Sequence, residues 1–299
     1  MRSPPSPTPQ GQREWAELVR MESIVSKKSS DNFKRFKVAL SPSRVGQYKK
    51  CPLSFRLSAI DKIPQETKDY QLKGTLVHAV LEKLMGLPPE ERTYPRAVKL
   101  IVPQWERMKS RDPGLSTVVP EAQEMDFIVQ ARNLVKGYFM MENPQGLATE
   151  KMEEFVTTTL RDDVPLRGFI DRIDINDSGM VRIVDYKTGK KPSPRFADDA
   201  MAQMKFYALV WWQLHGVIPA QLRLMYLAVG DDLTLSPDEA TLEAFAAELV
   251  VLWDEIRFKG KTGEFEPRPS KLCNWCDFQT MCPAFGGTLP PYPGWPNAD

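Results

Sequence analysis

Asp171, Asp185 and Lys187 are the residues of this chain whose types and spacing best fit chemistry. They lie in Gly168-Phe-Ile-Asp-Arg-Ile-Asp-Ile and, after a turn, in Val181-Arg-Ile-Val-Asp-Tyr-Lys-Thr-Gly-Lys. Strand alternation puts Phe169, Asp171, Ile173 and Ile175 on one face, and Val181, Ile183, Asp185 and Lys187 on one face of the next strand. The turn decides whether these faces coincide. A two-residue loop at Asp177-Ser178 sets Asp171 opposite Val184 and mixes the faces. A three-residue loop, Asp177-Ser178-Gly179, pairs Asn176 with Met180 and sets Asp171 opposite Asp185. Such a loop wants a left-handed residue at its third position, which glycine adopts freely. The sequence therefore predicts that loop, a positive φ at Gly179, and an apolar face ending in two carboxylates and an amine. Arg172, Asp174 and Arg182 fall on the other face, expected to be the more exposed one. Facing carboxylates repel unless neutralised. A hard divalent cation neutralises them and keeps positions open for water and phosphate oxygens. A plain salt bridge from Lys187 to a carboxylate is the competing reading, because Asp-x-Lys alone is a weak signal.

The supporting residues are ambiguous when taken singly. His78 sits inside an apolar helical pattern, where a histidine is usually a packing or surface residue, and His215 has only that reading. Gln203 and Tyr207 are four apart on a helix and share a face. They could hold a water and stack on a base, or simply pack. Lys187, Lys190, Lys191 and Arg195 form one basic run, and Arg44, Lys49, Lys50 and Arg56 another. Each reads as a solvated face or as a track for a phosphate backbone. Cys273, Cys276 and Cys282 follow C-x2-C-x5-C spacing, with Cys51 far upstream. Zinc ribbons usually bring two close pairs. A [4Fe–4S] cluster takes four thiolates and tolerates a remote one. Free buried thiols are the third reading. Either metal would clasp the two ends of the domain together.

These residues need an α/β scaffold. Ser41-Pro42-Ser43 looks like a helix start, with Val45, Tyr48 and Phe55 on the apolar pattern. Thr75–Met85 reads as a helix, and residues 92–142 as mostly helical with breaks at Pro113 and Pro120. The period then changes. Phe155–Leu160, Leu166–Ile175 and Met180–Lys187 are strand-like, Asp198–His215 is a helix, Leu222–Val229 a strand and Pro237–Phe258 a helix. Residues 1–37 read as a mobile arm, with one short amphipathic stretch at Trp15, Leu18 and Val19, and residues 286–299 as a Pro/Gly-rich tail laid over the surface. With 40 Lys+Arg against 39 Asp+Glu in 299 residues, any contact with a polyanion must be local, since no global charge attracts it. No run reaches the ~18 apolar residues of a membrane span. The proline-rich start lacks the apolar core of a signal peptide, so a cytoplasmic location is expected.

Taken together and in order, these blocks resemble the PD-(D/E)XK nuclease superfamily, and most closely RecB-like and Cas4-like exonucleases with an iron–sulfur clasp. The resemblance runs through Ser41-Pro-Ser-Arg-Val-Gly-Gln-Tyr-Lys-Lys-Cys-Pro-Leu-Ser-Phe, Gly74-Thr-Leu-Val-His78, the Gly168 and Asp185 blocks, Gln203-x3-Tyr207 and the cysteine trio, over residues 38–285. It implies a restriction-endonuclease-like core, a mixed β-sheet flanked by helices, with helical additions. It implies that His78, Asp171, Asp185 and the Tyr186 carbonyl bind Mg²⁺ or Mn²⁺, and that Lys187 is the catalytic lysine. Gln203 and Tyr207 would line the site and hold the DNA strand, and the basic run adds Lys190 and Lys191 as expected strand contacts. Single-stranded DNA is the expected substrate, since the clasp and helices could form a narrow channel that stacks unpaired bases. Cys51, Cys273, Cys276 and Cys282 would hold [4Fe–4S]. Two positions vary from the commonest pattern: Asp185 stands where Glu is common, and Ile170 where a proline is. The implied activity is a DNA exonuclease of repair or recombination. The alternatives are a non-catalytic DNA-end-binding module beside a helicase, a sensor that uses the cluster as a redox switch, and a zinc-clasped nuclease. The chain has no Gly-x4-Gly-Lys-[Ser/Thr] phosphate loop, so any helicase would be a separate partner.

Overall fold

The computed structural model describes residues 36–161 and 163–297. The expected N-terminal arm, with its Trp15 stretch, lies outside the described residues apart from its last two positions. Helix α1 (Pro42–Lys50) starts where Ser41 Oγ accepts the Arg44 N–H, with Pro42 at the first helical position. Helix α2 (Pro52–Phe55) runs into a π-helical turn, Arg56–Ile60. Three longer helices follow: α3 (Asp69–Met85), α4 (Tyr94–Arg111) and, after the short α5 (Leu115–Val118), α6 (Glu121–Met141). The breaks fall at Pro113 and Pro120, whereas Pro103 is carried inside α4 without ending it.

The strands are β1 (Thr149–Leu160), β2 (Val164–Ile175) and β3 (Val181–Lys187). Helix α7 (Ala197–His215) then leads to β4 (Gln221–Tyr226), β5 (Asp231–Leu235) and α8 (Glu239–Thr262). They form one five-stranded sheet in the order β1-β2-β3-β4-β5. β3 and β4 are parallel and the other pairs antiparallel. A parallel pair needs a long crossover, which α7 supplies. Two features were not expected from the sequence. β1 begins at Thr149, where Glu150, Lys151, Glu153 and Glu154 hide the strand period, and β5 is a short polar edge strand.

The β2–β3 turn has the predicted geometry. Ile175 pairs with Val181 and Ile173 with Ile183. Asn176 N–H donates to the Met180 carbonyl at 3.2 Å, and Gly179 has φ 78°.

The expectation for the second sheet face is corrected. Arg172 is wholly buried and Asp174 nearly so. Helices α3, α4 and α6 cover that face, with Leu76, Val80, Trp105, Val135 and Tyr138 packed on Val184, Tyr186 and Met225. The buried guanidinium of Arg172 survives there because Glu142 engages it at both terminal nitrogens, Asp174 lies 3.1 Å away, and it donates to the Tyr186 hydroxyl at 2.8 Å. The first face carries the larger core. There Ile173, Ile183 and Leu224 meet Phe206 and Leu209 of α7 and Trp253 and Ile256 of α8.

A third, small cluster of Leu53, Leu57 and Phe278 joins α2 to the cysteine-bearing segment. The tail follows the surface and returns to the start of the domain. The Trp295 ring packs on Trp253, and the Asn297 amide accepts from Lys37 N–H and Val38 N–H while donating to the Val38 carbonyl. Among the described residues no helix is long and apolar enough to cross a membrane.

Candidate active site

The β2–β3 ladder ends at Arg172–Val184, and a side chain takes over from the backbone. Asp171 Oδ2 accepts the Tyr186 N–H at 2.7 Å. This locks one carboxylate at the point where the strands part. Tyr186 is fixed at three points. Its N–H goes to Asp171, its hydroxyl accepts from Arg172, and its carbonyl lies 3.0 Å from His78 Nε2. A carbonyl only accepts, so Nε2 carries the hydrogen and Nδ1 faces the carboxylates. His78 reaches this point from α3, the helix laid over the second sheet face.

His78 Nδ1 is 3.5 Å from both Asp171 Oδ2 and Glu153 Oε1. Ligand atoms of His78, Glu153 and Asp171 all lie within 4.8 Å of one another. Burial disfavours a charged ring at His78, but Asp171, Glu153 and Asp185 outweigh it and push the imidazole up to about 11 in the metal-free protein. Such a set, one imidazole with carboxylates and a nearby carbonyl, is suited to a hard divalent cation. Glu153 was missed in the sequence, where it is one acid in a charged stretch. Its backbone has φ 49°, a left-handed conformation that costs an ordinary residue roughly 1–2 kcal/mol. The strain sits on the residue that contributes this carboxylate.

Asp185 is buried and turned toward α7. Its Oδ1 accepts from Gln203 Nε2 at 2.6 Å, and its Oδ2 lies 2.7 Å from Lys187 Nζ. Lys187 also donates to Gln203 Oε1 at 2.7 Å, and Gln203 Nε2 reaches the Tyr207 hydroxyl at 3.2 Å. Burial, then the charge of Asp171, pushes the Asp185 carboxyl up to about 7 against the pull of Lys187 and His78. Gly168 lets this chain close. A Cβ there would stand 2.7 Å from the Tyr207 ring. Lys187, Gln203 and Tyr207 open onto a cleft of about 1760 Å³ that runs past α1 to Cys273 and Cys276.

Of the residues singled out in the sequence, His78, Asp171, Asp185, Tyr186, Lys187, Gln203 and Tyr207 therefore converge. Lys190 and Lys191 do not line the cleft. Lys191 is held by Asp231 at 2.7 Å and by the Asp232 carbonyl. Arg56, from the second basic run, is buried against Asp61 and the Pro290 carbonyl. Cys51, Cys276 and Cys282 border the Leu53–Leu57–Phe278 cluster. Burial raises the Cys276 thiol, and the nearby sulfurs of Cys51, Cys273 and Cys282 add to the effect. Backbone N–H groups point at two of the sulfurs, from Arg268 to Cys51 Sγ and from Ser270 to Cys273 Sγ.

Comparison with known proteins agrees with this geometry. A sequence model of the PD-(D/E)XK nuclease superfamily matches residues 39–283. The "Gene 69 protein" of Mycobacterium phage D29 is 28% identical over 285 residues, covering 82% of this chain and 96% of the relative. Its counterpart in Mycobacterium phage L5 is 24% identical over 292 residues, with the same coverage. The crystal structure of a "Putative exonuclease" from Eubacterium rectale superposes with a TM-score of 0.54 at 16% identity, covering 80% of this chain and 87% of that one. At that identity the likeness is one of fold.

Proposed function

Because the chain belongs to the PD-(D/E)XK nuclease superfamily, we propose that it is a metal-dependent DNA exonuclease, acting on single-stranded DNA or DNA ends in repair or recombination. The observation that carries this reading is the convergence of His78, Glu153 and Asp171 beside the Asp185–Lys187–Gln203 chain where it meets the cleft. His78, Asp171, Asp185 and the Tyr186 carbonyl, joined by Glu153, would hold Mg²⁺ or Mn²⁺. When bound, the cation supplies charge for the scissile phosphate and acidifies a water. Lys187, oriented by Asp185 and Gln203, would hold the attacking water or neutralise charge on a phosphate oxygen. Gln203 and Tyr207 would align the strand. Lys190, exposed past β3, would meet the backbone only outside the cleft. The chain carries no phosphate-loop motif, so strand separation would come from a separate helicase.

Cys51, Cys273, Cys276 and Cys282 would hold a [4Fe–4S] cluster. The two N–H···S contacts, to Cys51 and Cys273, are of the kind made to metal-bound sulfurs.

The test is cleavage of 5′- and 3′-labelled single-stranded DNA with Mg²⁺ or Mn²⁺, wild type beside Lys187→Ala and Asp185→Ala. Cleavage lost in both variants, from brown protein, is the expected result. Folded, brown, metal-loaded protein that cuts neither single-stranded nor duplex ends would refute the reading.

A further inference from the structure

The cleft beside the active site has an apolar surface that the fold does not require. Phe155 of β1 and Phe169 of β2 stand directly opposite each other, with ring centroids 4.8 Å apart. They are 52% and 54% exposed. On β1 the alternate positions Val156, Thr158 and Leu160 are the buried ones, so Phe155 serves no core. Polar residues would suit an exposed sheet position equally well. Phe196, also about half exposed, lines the same cleft.

The charge lining the cleft is predominantly positive. Its charged lining is Arg44, Lys49, Lys50, Arg167 and Lys187 against Asp199 alone. Arg44 and Arg167 lie close enough to repel, and neither forms an ion pair with a carboxylate among the described residues. Arg44 is anchored by a hydrogen bond from Nη1 to the Ala39 carbonyl at 3.0 Å. Flat apolar rings inside a cationic groove complement one kind of ligand, a polyanion with exposed flat faces. An unpaired DNA strand offers its bases for stacking and its phosphates for Arg and Lys. A duplex keeps its base faces inside its own stack.

We propose that Phe155 and Phe169 form a stacking platform for the bases of an unpaired DNA strand, with Arg44 and Arg167 taking the adjoining phosphates, and that this platform sets the preference for single-stranded over duplex DNA. The proposal rests on the nuclease reading above and deepens it. The platform lies outside the Lys187 chain, so its removal leaves the chemistry in place.

The experiment uses the full chain with Ca²⁺ in place of Mg²⁺ to hold the complex uncut, and oligonucleotides carrying 2-aminopurine at successive positions. Wild type should quench 2-aminopurine at one fixed stretch. Phe155→Leu/Phe169→Leu keeps apolar volume but removes the rings. It should lose that quenching and bind single strands on the order of tenfold more weakly. Duplex binding, and hydrolysis of a small chromogenic thymidine phosphodiester with Mn²⁺, should be unchanged. Arg44→Gln/Arg167→Gln should flatten the slope of log affinity for single strands against log salt by about 1.4. A Leu variant that binds and quenches like wild type, or that loses duplex and single-strand binding equally, overturns the platform while the nuclease reading stands. Wild type that cleaves neither DNA nor the small diester overturns the nuclease reading first, and the platform with it.

Discussion

Adding one methyl group at Gly168 should disturb the active site through Tyr207. A Cβ at residue 168 would lie 2.7 Å from Tyr207 Cε1, where about 3.4–4 Å is ordinary contact. One of the two must yield by roughly an ångström. The Tyr207 ring is largely buried on α7 at the edge of the cleft, so any displacement of the ring carries its hydroxyl with it. Its hydroxyl is already 3.2 Å from Gln203 Nε2, so such a shift breaks that hydrogen bond. Overpacking costs about 1–3 kcal/mol and the lost hydrogen bond about 1 kcal/mol more. Gly168→Ala should therefore lower stability by ~2–4 kcal/mol in urea denaturation, with no change in slope. It should also slow cleavage, because Gln203 no longer holds Lys187 and Asp185 in place. The decisive comparison is a double-mutant cycle. Against Tyr207→Ala, which removes the ring, the same Gly168→Ala change should cost under ~0.5 kcal/mol. Equal costs in the two backgrounds would mean that the glycine is needed for some reason other than Tyr207, and the argument would fail.

Three further outcomes follow from the structure. Without metal, the Asp185 carboxyl is raised from 3.8 to about 7, so the folded state holds its proton more tightly than the unfolded chain does. That contribution is complete below pH 3.8 and is lost as pH rises through about 7. It amounts to a few kcal/mol at about 1.4 kcal/mol per pKa unit. Chelator-treated wild type should lose stability across pH 4–7 more steeply than Asp185→Asn. Equal slopes in pH-dependent denaturation would contradict this. Because Glu153 holds φ 49°, Glu153→Gly should be more stable than Glu153→Ala by about 1 kcal/mol, while both lose affinity for Mn²⁺ in calorimetric titration. An alanine variant as stable as the glycine one would remove the strain argument. Asn297→Ala should cost about 2 kcal/mol in thermal or chemical denaturation, since it strips the Lys37 and Val38 backbone groups of their partner. A change below ~0.5 kcal/mol would mean that the tail does not hold the domain's ends together.

What could be read from the sequence was local. The three-residue turn at Asp177–Gly179 is set by a glycine at the one position that needs positive φ, and that turn fixes the register as far as Arg172–Val184, one position short of Asp171 and Asp185. Helix α1 follows from Ser41 and Pro42, and the helix breaks from Pro113 and Pro120, because caps and prolines act within a turn of themselves. The ordered blocks from Ser41 to Cys282 were likewise legible, since residue types survive where geometry is unseen. The tertiary structure decided the rest. Arg172 looked solvent-facing by alternation, yet it is buried because α3, α4 and α6, distant in sequence, close over that face and Glu142 neutralises it. Glu153 joined the site only through a left-handed residue in a strand whose charges hid its period. Lys191 and Arg56 looked available for a phosphate backbone, but Asp231 and Asp61 claim them. Alternation and capping are properties of a few consecutive residues. Burial and ion pairing belong to elements brought together by the fold, and one strand's sequence carries no record of which helix will cover it.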